Sequence, residues 1–136
     1  MMSNDIKLSV LNIINKRYNC TLSNIKGKQI MYHGVSNGKR IVLCTPFSKL
    51  HVRGHGWFVL TTKQVDLLDD SDITILAIRL QGIYYIDFKE IRKLLISDIM
   101  LNNPREGEQW KLYVWENYID IRGSDEKFHV QPEVLI

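Results

Sequence analysis

Between positions 26 and 53 the 136-residue chain carries Lys26, Lys28, Lys39, Arg40, Lys49 and Arg53, a denser run of cations than its C-terminal half holds. Clustered ammonium and guanidinium groups suit a phosphate backbone. Each phosphate they neutralise releases condensed counterions, which gives salt-sensitive affinity without sequence preference. The same residues on hairpin edges would equally well discourage edge-to-edge pairing. Lys39, Arg40, Lys49 and Arg53, with His55 and Trp57 beside them, are the candidate nucleic-acid contacts. Tyr32, Trp57, Tyr84, Tyr85, Trp110, Tyr113, Trp115 and Tyr118 are many rings for so short a chain. Most belong in a core, and some suit stacking on unpaired bases.

Other constellations are weaker. His51 and His55 stand four apart, a zinc spacing on a helix, but the intervening Arg53-Gly54 is a poor helix and a third ligand is wanted. The default is a loop with two surface histidines. His33 and Cys44 would form a nucleophilic pair only if the thiol were accessible and its pKa lowered; a buried apolar cysteine is the commoner case. Asp69-Asp70-Ser71-Asp72 reads as a solvated acidic turn. No catalytic or metal-binding residue is assigned outright. The fallback set for Mg²⁺-dependent hydrolysis is Asp72 and Asp87, from the acids Asp66, Asp69, Asp70, Asp72 and Asp87, with Lys39 or Lys63 as the cation.

The elements that would position these groups follow from periodicity and turn chemistry. Ile6, Val10, Ile13 and Ile14 recur at helical spacing, which predicts a helix from Asn4 to Tyr18. Met31–Ser36 and Arg40–Cys44 are hairpin arms around Asn37-Gly38, a pair that tolerates the two positive φ angles of a type I′ turn. Pro46 should end the second arm, and Trp57–Leu60 returns to the core as a third strand. Thr61–Ser71 is ambiguous and could hold a short helix. The continuous apolar run Ile73–Leu80 suits a strand covered on both faces. Ile83–Ile86 forms the next strand, and Asp87 can cap a helix running to Leu95 or Ile96. Ser97–Leu101 is a short strand or a continuation, and Asn102–Gly107 is the clearest loop. Trp110–Ile121 alternates in part and predicts a final pair of short strands, or a strand and a turn. Phe128–Ile136 reads as a tail, since Pro132 argues against a central strand. This order predicts an α/β (α+β) fold, one domain over residues 1–136 with a central mixed β-sheet flanked by helices and loose tails at 1–3 and about 128–136.

The arm containing Gly38-Lys39-Arg40-Ile41, the loop after it and the Trp57-Phe58 strand resemble the PD-(D/E)XK, or restriction-endonuclease-like, nuclease superfamily. Asp72–Ile78, Gly82–Asp87 and the segment from Trp110 to Ile121 resemble its later core. The likeness covers Met31 to Ile121 in pattern. It implies a restriction-endonuclease-like fold and a partner that is DNA or RNA. The family sets an Asp on the first arm and acid-x-Lys on the second. The matching positions here are Tyr32 or His33, then Val42 and Cys44. None of these offers the carboxylate oxygens that Mg²⁺ requires. The resemblance therefore implies a nucleic-acid-associated protein lacking the usual nuclease activity and needing no cofactor. An active Mg²⁺ endonuclease with migrated acids is the alternative. A small protein-interaction or regulatory module, in the form of a homodimer or a partner of another protein, is the third.

Composition sets wide bounds. A net charge of +3 permits nucleic acid without demanding it. A hydrophobic fraction of 45% is ordinary for a globular chain. Cys20 and Cys44 form no C-x-x-C pair, no apolar run is long enough for a membrane span, and the opening residues are too polar for a secretory leader. A cytoplasmic protein with free thiols is the simplest expectation.

Overall fold

The computed structural model describes residues 2–50, 55–80 and 82–133. Helix α1 (Met2–Tyr18) buries Val10 and Ile14 against a five-stranded sheet. It stops at Asn19, whose φ of 50° is left-handed and turns the chain so that the Cys20 amide donates to the Asn15 carbonyl at 3.0 Å. The sheet contains β1 (Ser23–Asn24), β2 (Met31–Ser36), β3 (Lys39–Cys44), β6 (Ile73–Arg79) and β7 (Ile83–Asp87), in the order β1-β2-β3-β6-β7. Strands β2 and β3 form the expected hairpin, with Asn37 at φ 51° and Gly38 at φ 77°. Strand β6 lies parallel to β3 and the remaining pairings are antiparallel, so this is the central mixed sheet.

A second sheet, wholly antiparallel, takes the rest: β4 (Lys49–Leu50), β5 (Gly56–Thr61), β8 (Leu101–Asn103), β9 (Gly107–Val114), β10 (Tyr118–Ile121) and β11 (Lys127–His129). Here the structure corrects the sequence reading. The Trp57 strand is not a third arm beside the hairpin. It pairs with β9 over six residues, from Gly56 opposite Val114 to Thr61 opposite Gln109. Gly56 makes the crossing possible, because a Cβ there would collide with the Ser48 hydroxyl and lie 2.9 Å from Leu80 Cδ1.

The ambiguous stretch is helix α2 (Thr62–Asp69), started by a capping box in which Thr61 Oγ1 accepts from the Gln64 amide while Gln64 Oε1 accepts from the Thr61 amide. Helix α3 (Phe88–Arg92) is shorter than periodicity suggests. Leu94 and Leu95 donate to carbonyls three residues back, which tightens the chain into turns, and Arg92 Nη1 takes up the Leu95 carbonyl at 2.8 Å. Ser97–Ile99 is a 3-10 turn. The Asn102–Gly107 loop is narrower than expected, since Leu101–Asn103 pairs with the start of β9. Nor are the described residues of the C-terminal stretch, up to Glu133, a free tail: β11 is the edge strand beside β10, and Glu133 exchanges two backbone hydrogen bonds with Ile83. Pro132 fits because neither contact asks it for an amide.

Two apolar layers result. One lies between α1 and the mixed sheet and contains Val10, Ile14, Ile41, Leu43 and Ile75. The other lies between the two sheets and takes in α2 and α3, with Val42, Leu76, Phe58, Leu60, Trp110, Leu112 and Phe88. The mixed sheet is therefore buried on both faces, as the continuous apolar run of β6 requires. Tyr84 and Tyr85 point to opposite faces and each meets one of these layers. Among the described residues no helix is long and apolar enough to cross a membrane.

Candidate nucleic-acid interface

The antiparallel sheet has one buried face and one that is not packed against a core. Strand alternation sets this directly. Phe58, Leu60, Trp110, Leu112, Val114, Ile119 and Ile121 point inward and are buried. The residues between them on β5, β9, β10 and β11 point outward, and their rings belong to neither apolar layer.

Register arranges these outward side chains in two rows across the strands. In the first, Trp57 stands opposite Tyr113, Tyr113 opposite Asp120, and Asp120 opposite Lys127. In the second, Trp115 is backed by the buried His55 ring at 4.3 Å. Trp115 stacks on Tyr118 at 6.0 Å with planes 22° apart, and Tyr118 lies 6.1 Å from His129. Two ammonium groups sit over the rings. Lys111 Nζ is 4.6 Å from the centre of Trp57 and 5.6 Å from that of Tyr113, and Lys127 Nζ is 4.6 Å from the centre of Tyr118. Such contacts are worth about 0.5–1 kcal/mol at exposed sites and leave ammonium hydrogens facing water. Trp57, Tyr113, Trp115 and Tyr118 are all partly exposed. The second row is fixed from below: the Tyr84 hydroxyl, on the mixed sheet, donates to the Trp115 carbonyl at 2.9 Å or to that of Glu116 at 3.2 Å. Burial and the nearby Glu116 raise the Tyr84 pKa, so this hydroxyl stays protonated.

Of the expected site, Lys39 and Arg40 stand at the hairpin, while β4 sets Lys49 opposite Trp57 in the second sheet. Lys39 is exposed beside the hairpin turn, in a depression with Tyr18 and Asn37. Arg40 is committed locally. Its guanidinium pairs with Asp70 at 3.7 Å, and its amide donates to Asp72 Oδ2 at 3.0 Å. Acidic side chains of the 69–72 turn thus offset the hairpin's charge, and Asp69 likewise pairs with Arg92 at 2.9 Å. Arg53 and His51 lie outside the described residues, as does the side chain of Lys49. Trp57 belongs to the second sheet, where Lys111 sits over its ring. His55 is not a surface histidine; it is buried against Trp115 and Tyr113. Lys111, Lys127, Tyr113, Trp115 and Tyr118 join Trp57 instead. The sequence signal for them is the alternation Trp110-Lys111-Leu112-Tyr113-Val114-Trp115, in which the inward set is apolar and the outward set is cationic or aromatic.

Asp72 and Asp87 line one cleft of about 500 Å³ between the end of α1 and strands β6 and β7, with Lys89 in place of Lys39. Both carboxylates already hold backbone amides: Asp72 that of Arg40, and Asp87 that of Lys89 at 3.1 Å as the cap of α3. Lys89 Nζ donates to the Asp72 main-chain carbonyl at 2.6 Å. Among the described residues no group of three or more His, Cys, Asp or Glu side chains is placed to hold a metal ion. On the hairpin arms, Tyr32, Val42 and Cys44 are buried, and His33 faces Val42 rather than Cys44. Burial pushes the Cys44 thiol up to about 12, with Arg79 opposing the shift. A thiol so raised is no nucleophile at neutral pH.

Compared with protein-family models, curated proteins and solved structures, the chain matches none.

Proposed function

We propose that this is a nucleic-acid-binding protein without hydrolytic activity of its own, and that the outward face of the antiparallel sheet is its binding surface. The observation that carries the reading is the pairing of Lys111 and Lys127 with an ordered set of partly exposed rings on one flat face. Rings accept base faces, at ~1–3 kcal/mol per stacked base, and the lysines accept phosphate. Resemblance to the PD-(D/E)XK nucleases points to the same ligand. The buried Val42 and Cys44 on the second arm agree with lost hydrolysis, because neither offers an oxygen to Mg²⁺. A cytoplasmic location goes with this reading, as both cysteines are free.

The test is a titration of a labelled oligonucleotide at several salt concentrations. Micromolar or tighter binding that weakens with salt is expected. Lys111→Ala with Lys127→Ala should lower the slope of log affinity against log salt by about 1 to 2. No salt-dependent binding at micromolar protein would remove the proposal. Incubation with Mg²⁺ or Mn²⁺ should leave the oligonucleotide intact. Cleavage abolished by Asp72→Asn or Asp87→Asn, which keep the amide contacts, would overturn the non-hydrolytic part.

A further inference from the structure

We infer that the sheet face selects single-stranded over duplex nucleic acid, with bases laid along the row of Trp115 and Tyr118 and the backbone along Lys111 and Lys127. The inference rests on the nucleic-acid reading and specifies its ligand.

The two rows differ in chemistry. The row through Trp115, Tyr118 and His129 consists only of rings, which succeed one another at 6.0 and 6.1 Å, and the buried His55 backs Trp115 at 4.3 Å. The adjacent row holds Asp120 and Lys127 as well as Trp57 and Tyr113, and Lys111 lies one further step along the same face, opposite Val59. Both lysines therefore flank the all-ring row on one side. A polymer with bases on one edge and charge on the other matches that division. Four strands of a sheet present room for about two or three bases.

The ammonium groups now sit where bases would sit. Lys127 covers Tyr118 at 4.6 Å, and Lys111 covers Trp57 at the same distance. A base arriving on Tyr118 displaces the Lys127 ammonium from the ring toward the neighbouring phosphate. One weak cation–ring contact is exchanged for a stacking contact and a charge-assisted hydrogen bond. This exchange requires a base with a free face. In a duplex the base faces are occupied by their neighbours, so a flat sheet reaches only phosphates and groove edges. The rings then contribute nothing, and the two lysines alone give weak binding.

Fluorescence anisotropy of labelled dT12, and of a blunt duplex of mixed sequence and the same length, at equal salt separates the possibilities. The single strand should bind at least about tenfold more tightly. Trp115→Ala and Tyr118→Ala should each weaken single-strand binding by about five- to a hundredfold and leave duplex binding unchanged. Tyr118→Phe keeps the ring and should bind dT12 more tightly than Tyr118→Ala does, and circular dichroism matching that of the unmodified chain guards against a fold defect in the alanine variants. Quenching of tryptophan fluorescence on addition of dT12, diminished in Trp115→Phe, is the second readout. Equal affinity for the two probes, with the Trp115→Ala and Tyr118→Ala variants unchanged, would overturn the inference while leaving nucleic-acid binding intact. Failure of both probes to bind would overturn the parent reading along with it.

Discussion

Cys44 shows how burial changes the meaning of a residue type. In sequence it stands eleven residues after His33, on the facing arm of a hairpin, as a catalytic thiol could. In the fold it is fully buried between the sheets, and desolvation raises its pKa from 9.0 to about 12. The raised value has a consequence for stability. Above about pH 9 the unfolded thiol releases its proton while the folded thiol keeps it, so the unfolded state binds fewer protons and stability falls as pH rises toward 12. Urea unfolding at pH 8 and pH 10 should show this loss, and Cys44→Ala, less stable at both, should show a smaller decrease between them. A pH dependence identical in the two proteins would contradict the assignment. Tyr84 and Tyr85 shift in the same direction from a higher starting value, so the difference between the proteins is cleanest just above pH 9.

Legibility at the level of elements followed the range of the interactions. Asn37-Gly38 announces its turn because the two positive φ angles are local requirements, and the observed hairpin has the expected arms with one residue added at Lys39. Helix α1 is equally local. The third strand was read correctly as a strand, but its partner lies some fifty residues onward in β9, and nothing near Trp57 specifies that register. The aromatic rows suffer from the same gap. Each outward ring is visible as one half of an alternation, yet the rows exist only once β5, β9, β10 and β11 are aligned. Helix α2 was obscure because eight residues give little periodicity; its capping box, Thr61 with Gln64 three residues on, was the better signal. Removing that signal tests its worth. Thr61→Ala should destabilise the protein by about 1 kcal/mol, measured by chemical denaturation, because the Gln64 amide loses its acceptor. An unchanged midpoint would mean that packing of Val65 and Leu68 alone holds the helix.

For the molecule as a whole, the two sheets divide the labour. The mixed sheet is covered by α1 on one side and by the second sheet on the other, so its substitutions register as lost packing. Among the described residues the antiparallel sheet packs against a core on one side, and its outer side can vary without disturbing that core. The sequence reading located chemistry in the hairpin because charge is dense there; the fold pairs Arg40 of that hairpin with Asp70 and gathers the rings elsewhere. Strand β7 ends the mixed sheet, and on its outer side Ile83 is clasped by Glu133. That clasp shields a template. In a chain cut after Gln131 the Ile83 amide and carbonyl would lose Glu133 and lengthen the edge open to other copies, and bare edges recruit strands. Light scattering of such a truncation should rise with concentration and incubation time while the intact chain stays clear, and a clear solution of the truncated chain would show that the clasp has no protective role.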